Sequence, residues 1–344
     1  MLMGALMVIR QRVIENVNKA LHAAFERDER VSLIGEDLLD PYGGAFKASK
    51  GLSTKYPDRV ITTPLSESSF LGVAVGLAMM GERPIVEVMF GDFVALGFDA
   101  ILNLAAKSAT MFGNTQPIHY VVRVPVGGGR GYGPTHSQSL QKHFVGIADL
   151  HLYEISQFVD TTQVLERMLE LGRPCLLFED KVLYTQYMHS DGRVDEVFSY
   201  ELVGPRSDIA RVFCKDFDGA RCAIITGGGT AQRTIDAAKR LFIEHEIECE
   251  VIVTSRLFPV DTDGLVPLLA GKEYVFTVEE GGDGGSWGDA VAASLYPSLW
   301  GKLRAPIQSI CSLASIIPTA VHLEKKVLVQ SDDIFRKIQE SVVA

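Results

Sequence analysis

The chain has 344 residues, of which 47% are hydrophobic and 22% charged, the composition of a soluble globular protein long enough for two ordinary domains. Its formal net charge of -10 excludes association driven by a basic surface, as in general nucleic-acid or anionic-membrane binding, and leaves small molecules and proteins as partners. Five scattered cysteines without metal-ligand spacing point to reduced thiols in a cytosolic compartment, and no apolar run is long enough to span a bilayer.

The first nine residues are apolar but lack a basic start and a cleavage site, so they do not read as a signal peptide. From Val8 to Arg27 the residues Val13, Val17, Ala20, Leu21, Ala24 and Phe25 recur at helical spacing. A buried strand over 31–34 follows, ending in Gly35-Glu36-Asp37 and a turn-rich loop that contains Pro41 and Phe46. A short strand at 59–63 leads through Pro64 to Ser66, an N-cap candidate for a helix starting at Glu67. That helix is apolar all round, which predicts burial, with Gly72 and Gly76 admitting other backbones closely. Glu67 is its one charge. It reads either as a first-turn acid satisfying the helix dipole or as a carboxyl poised between dipole and burial for proton transfer, and the local residues leave both open.

A strand over 84–90, a helix over 95–111 and a strand over 118–124 come next, followed by a glycine-rich loop, Gly127 to Gly133, that delivers His136-Ser137-Gln138-Ser139. His136 is the most informative histidine, a candidate proton donor with hydrogen-bonding neighbours. Strands over 150–155 and 174–179 flank a helix over 161–171. This alternation predicts an α/β fold of two doubly wound domains with mostly parallel sheets: residues 1–190, a linker over 191–218, and residues 219–344. The second domain opens with a strand at 221–226 and a Gly227-Gly228-Gly229-Thr230 turn. That turn lacks the lysine and the glycine spacing of nucleotide motifs and reads as a plain strand-to-helix connection. Glu279-Glu280-Gly281 opens a glycine-rich loop that is equally readable as a functional or a surface segment. No histidine, cysteine and carboxylate cluster has metal spacing.

Taken together in order, Gly35-Glu36-Asp37, Gly43-Gly44-Ala45-Phe46, Thr63-Pro64-Leu65-Ser66-Glu67, Arg83-Pro84-Ile85, Asp92-Phe93, Asn103 to Lys107 and His136 to Ser139 resemble the beta subunit of thiamine-diphosphate-dependent 2-oxo acid dehydrogenases, in the transketolase superfamily. The later landmarks Phe178-Glu179, Tyr184, Glu279-Glu280-Gly281, Pro318 and Leu323-Glu324 extend the resemblance over nearly the whole chain. It implies a pyrimidine-binding domain followed by a transketolase C-terminal domain. It also implies thiamine diphosphate shared between subunits, with Glu67 on the aminopyrimidine ring and promoting its imino form. Phe93 would pack against that ring, Met89 would be a further cofactor contact, Glu36 an acid in a proton relay, and His136 a proton donor near the substrate and the incoming acceptor.

The Mg²⁺-diphosphate motif of that family belongs to the alpha subunit and is absent here. Gly282-Asp283-Gly284 has its letters but no asparagine follows it, so an alpha partner and an α2β2 heterotetramer are implied. The loop that supports K⁺ in many relatives departs from the pattern, with Ile155-Ser156-Gln157-Phe158 in place of Pro-Ser-x-Pro, which counts against that ion. Thr135, and Ala148-Asp149, also depart, and they leave the acceptor open between a lipoyl domain and an acyl carrier protein. The implied activity is decarboxylation of a 2-oxo acid with acyl transfer to a lipoyl domain. The alternative is a two-carbon ketol or acyl transfer to a carrier protein or sugar, and a noncatalytic scaffold would have lost Glu67, Phe93 and His136, which are all present.

Overall fold

The computed structural model describes residues 10–113, 117–215 and 219–343; the opening residues read above as no signal peptide, and the start of the first helix at Val8, lie outside them. In chain order the first half carries α1 (Val13–Arg27), β1 (Val31–Gly35), the single turn α2 (Leu52–Lys55), β2 (Val60–Thr62), α3 (Glu67–Met79), β3 (Arg83–Glu87), α4 (Ala106–Met111), β4 (Val121–Val126), β5 (His151–Glu154), α5 (Thr161–Leu171) and β6 (Cys175–Asp180). The second half carries β7 (Phe198–Val203), β8 (Ile209–Cys214), β9 (Cys222–Thr226), α6 (Gly228–His245), β10 (Cys249–Thr254), β11 (Arg256–Phe258), α7 (Thr262–Leu268), β12 (Tyr274–Gly282), α8 (Trp287–Leu299), β13 (Gln308–Ser312), α9 (Val321–Val327) and α10 (Ser331–Val343).

These strands form two sheets, β11-β5-β6-β4-β3-β1-β2 and β13-β12-β9-β10-β8-β7. The first is parallel except for β11, which pairs antiparallel with β5 and so ties the second half onto the edge of the first sheet. Strand side chains alternate between two apolar layers. Leu33, Leu177 and Ile224 face the layer holding α1, α5, α6 and α10, and Ile34, Phe178 and Ile225 face the layer holding α3 and α8. Helices therefore cover both faces of each sheet, as the alternating pattern predicts. Among the described residues no single helix is long and apolar enough to cross a membrane.

Three local expectations give way. The stretch 191–218 is not a bare linker: β8 within it pairs antiparallel with β10, and β7 with β8 to form the edge of the second sheet, where one-sided burial in β7 and polar residues such as Arg211 in β8 hide the strand signal. The helix expected over 95–111 is broken into a 3-10 segment over 91–97, a π turn over 100–105 and α4, with a bend of 60° between its arms. Next to the break the chain packs closely on α3, where a side chain on Gly97 would meet Leu71 Cδ1 at 2.0 Å. Finally, α3 is not buried all round. Phe70, Leu71, Ala74, Val75 and Ala78 face the core, whereas Gly76 is exposed, Val73 is 59% exposed, and nothing approaches Gly72 or Gly76 within 4 Å. Ser66 does stand at its N-cap, but its hydroxyl bonds Ser69 Oγ at 2.8 Å instead of capping a backbone N–H.

Candidate active site

The parallel register brings the carboxyl ends of β1, β2 and β3 side by side, with Gly35 opposite both Thr62 and Glu87. In open α/β sheets this is the end at which ligands bind. Glu36 follows β1 directly and Glu67 opens α3 just after β2, so two buried carboxyls share one corner. Burial first, and then the charges of Glu67 and Asp37, push the Glu36 carboxyl up to about 7. Its Oε1 is buried with no hydrogen-bond partner. A carboxyl in this state can hold or release a proton near neutrality.

Beside that corner, β3 runs out into Met89 and Phe90, both half-buried, and the 3-10 segment that follows presents Phe93. From β4 the glycine loop returns His136 to the same place. The His136 ring lies edge-on to Phe90 with centroids 4.7 Å apart and to Phe93 at 5.2 Å. Thr135 Oγ1 is 3.0 Å from His136 Nδ1. Phe90 is the hub of this cluster, touching Tyr132 at 5.8 Å, Phe46 at 6.2 Å and Phe93 at 6.3 Å. Sequence reading missed it because Phe90 ends an apolar run and looks like core. The aromatic so close to Phe93 was the available signal.

Underneath, a buried charge network fixes the strand ends. Arg123 on β4 forks onto Glu179 of β6 at 2.7 and 2.8 Å and pairs with Glu87 of β3, while Tyr184 donates to Glu179 at 2.6 Å. Glu87 also accepts the Ala45 N–H at 2.5 Å, which holds the loop that carries Phe46 into the cluster. Burial raises the Glu87 carboxyl, with Arg123 opposing it. Lys181, fully buried, has its Nζ 5.9 Å from the Phe90 centroid, and burial lowers its ammonium to about 8.

The Gly227 turn is filled by the protein itself. Gly229 at the start of α6 donates its N–H to Glu154 at 2.5 Å, and a side chain on Gly228 would strike the Ile155 carbonyl. This helix start is therefore closed to an external phosphate, in line with the plain-turn reading.

Two family models divide the chain in the order of its sheets: "Transketolase, pyrimidine binding domain" matches residues 11–186 and "Transketolase, C-terminal domain" matches residues 215–334. The beta subunit of acetoin:2,6-dichlorophenolindophenol oxidoreductase from Cupriavidus necator is 32% identical over 317 residues, covering 90% of each chain. The chain belongs to the family of these transketolase-like beta subunits. A second family member, the mitochondrial pyruvate dehydrogenase E1 component subunit beta of Saccharomyces cerevisiae, is 30% identical over 331 residues, covering 95% of this chain and 88% of that one. The family fold extends to a split-gene transketolase, solved as an inactive beta4 tetramer, which superposes with a TM-score of 0.71 at 18% identity over 96% of this chain and 97% of that one.

The donor set at this corner fits one end of the thiamine diphosphate on which the family depends. An aminopyrimidine ring requires a carboxyl partner and an aromatic wall, and Glu67, backed by Glu36 with its orphaned buried oxygen, together with Phe93 offers both. Among the described residues no group of three or more His, Cys, Asp or Glu side chains is arranged to hold a metal ion. Asp283 of the Gly282-Asp283-Gly284 stretch takes the Gly284 N–H at 2.8 Å beside β13, and Lys142 donates to the Gly282 and Gly284 carbonyls.

Proposed function

We propose that this chain is the pyrimidine-binding half of a thiamine-diphosphate enzyme that decarboxylates a 2-oxo acid and passes the acyl group to a lipoyl domain, in the cytoplasm and together with an alpha subunit. The observation that carries the reading is the coupled Glu36–Glu67 corner set on the same sheet end as Phe93 and His136. When bound, the cofactor supplies the carbanion chemistry that a 2-oxo acid needs to lose CO2. The chain's own groups do the rest. Glu67 holds the aminopyrimidine nitrogen and exchanges a proton with it, Glu36 supplies or stores that proton behind Glu67, and Phe93 and Met89 wall the ring from water. His136, half-exposed at the mouth of the cluster, donates a proton where the substrate and the acceptor meet.

The diphosphate and its Mg²⁺ fall to the alpha subunit, within an α2β2 heterotetramer. The open face of α3 supports this, since Val73 and the bare Gly76, with Met80 at 82% exposure just past the helix end, make an apolar surface on the helix that Glu67 opens, with no cover among the described residues. Purified alpha-beta complex assayed with 2-oxo acids and with ketose phosphates, against lipoyl and carrier-protein acceptors, tests the reading. Turnover of the ketose donors alone would replace it with ketol transfer. In the same complex Glu67→Gln is expected to lower decarboxylation by at least about a hundredfold while assembly persists; full activity would remove Glu67 from the proposed role.

A further inference from the structure

The loop that carries His136 crosses from the first domain to the second before turning back. Gly127, Gly129, Gly131 and Gly133 all have positive φ, between 70° and 92°, a conformation that costs glycine little and other residues a good deal. This alternation turns successive backbone N–H groups outward, and two carboxylates of the second domain collect them. Glu280, at the end of β12, accepts the Gly128 N–H at 2.7 Å and the Ser139 hydroxyl at 3.2 Å. Glu324, in α9, accepts the Gly129 N–H at 2.9 Å through Oε1 and the Gly131 N–H at 3.1 Å through Oε2. Both carboxylates are buried, and Arg233 of α6 pairs with Glu280 at 2.7 Å.

The same side of the loop lies flat on the second domain. A side chain on Gly128 would meet Leu328 at 2.4 Å, and one on Gly133 would meet Thr319 Oγ1 at 2.6 Å. The last clamped amide is five residues from His136, whose own N–H returns to the Gly133 carbonyl at 3.4 Å. Any shift of the loop therefore moves the imidazole against Phe90 and Phe93.

We propose that Glu280 and Glu324 are positioning residues for His136: the second domain grips the glycine loop by its amides and so sets where the imidazole stands in a site that the second domain itself does not line. This rests on the proposed role of His136. It also gives a task to Glu280 and Glu324, two landmarks that the sequence singles out and that chemistry at the sheet edge leaves unused. Amide-to-carboxylate bonds are charge-assisted and directional, and in a buried setting they hold a loop without contacting substrate.

The test uses the assembled alpha-beta complex carrying Glu324→Gln or Glu280→Gln. Amide hydrogen exchange over 127–133 is expected to rise about tenfold or more, and kcat for acyl transfer to fall by a similar factor, with thiamine diphosphate affinity within about twofold of the parent. In the His136→Ala background the same substitutions should add no further loss of transfer, because the residue they position is gone. Unchanged exchange, unchanged transfer, or a loss that adds fully to that of His136→Ala would each overturn the assignment. Should Glu324→Gln fail to assemble, Glu324→Asp keeps the charge, shortens the reach and is read by the same measurements. If the parent complex acts on ketose phosphates alone, the cycle run on that donor still decides the clamp, so its failure is separable from failure of the proposed function.

Discussion

Replacing Glu36 with Gln should stabilise the protein in alkaline solution and leave it nearly unchanged in mild acid. The Glu36 carboxyl is only 3% exposed, leaves Oε1 without a partner, and titrates near 7 from an ordinary value of 4.5, so the fold favours its protonated form. Because the folded value lies above the unfolded one, this contribution to stability is complete below about pH 4.5 and is lost as the pH rises through 7. The rise from 4.5 to about 7 corresponds to roughly 3 kcal/mol, nearer about 2 after allowing for solvent screening at the mouth of the site. Glutamine mimics the neutral acid and carries no such dependence. Unfolding free energies from urea titrations of both proteins at pH 5, 6, 7 and 8 should converge at the acid end and separate by about 2 kcal/mol at the alkaline end, with Glu36→Gln the more stable. A difference that stays constant across this range would refute the reasoning. Glu67→Gln should lower the Glu36 midpoint without restoring 4.5, since burial is the larger cause and the Glu67 charge the smaller.

Arg123→Met should cost about 3 to 5 kcal/mol, read as a fall in melting temperature, because it strands Glu87 and Glu179 as unpaired buried acids. Val73→Asp, on the open face of α3, should change the stability of the chain by less than about 0.5 kcal/mol yet abolish co-purification with the alpha subunit; an intact complex would argue that this face is not the contact. His136→Ala should lower acyl transfer far more than cofactor affinity, and equal losses in a transfer assay and a binding titration would count against a role at the acceptor.

The inner strands of the first sheet and β9 of the second were legible because their apolar runs are buried on two faces, and the pattern of motifs from Glu36 to His136 indicated the sheet end at which those residues meet. What the sequence hides is which apolar residues the chain leaves open. The all-apolar surface of α3 reads as core, and Val73 gives no sign of standing open. Helical spacing over 95–111 likewise carries no mark of the bend beside Gly97, where the chain packs on Leu71. β7 went unread because an edge strand needs only one apolar face, and β8, between β7 and β10, because Arg211 interrupts its apolar run. The second-domain grip was out of reach for another reason, since Glu280 and Glu324 act on amides more than 150 residues away and separation along the chain erases any local signal.

β11 has a consequence of another kind. This three-residue strand from the second half lies antiparallel along β5 and ends the first sheet. Without it, β5 would present a free row of N–H and C=O groups, an edge that can recruit a neighbouring chain by strand addition. A chain truncated after residue 190, before the first strand of the second sheet, would uncover that edge together with the apolar layer behind Leu257, and would be prone to assemble into aggregates from an otherwise complete first sheet. The two halves therefore protect each other from self-association as well as sharing a core.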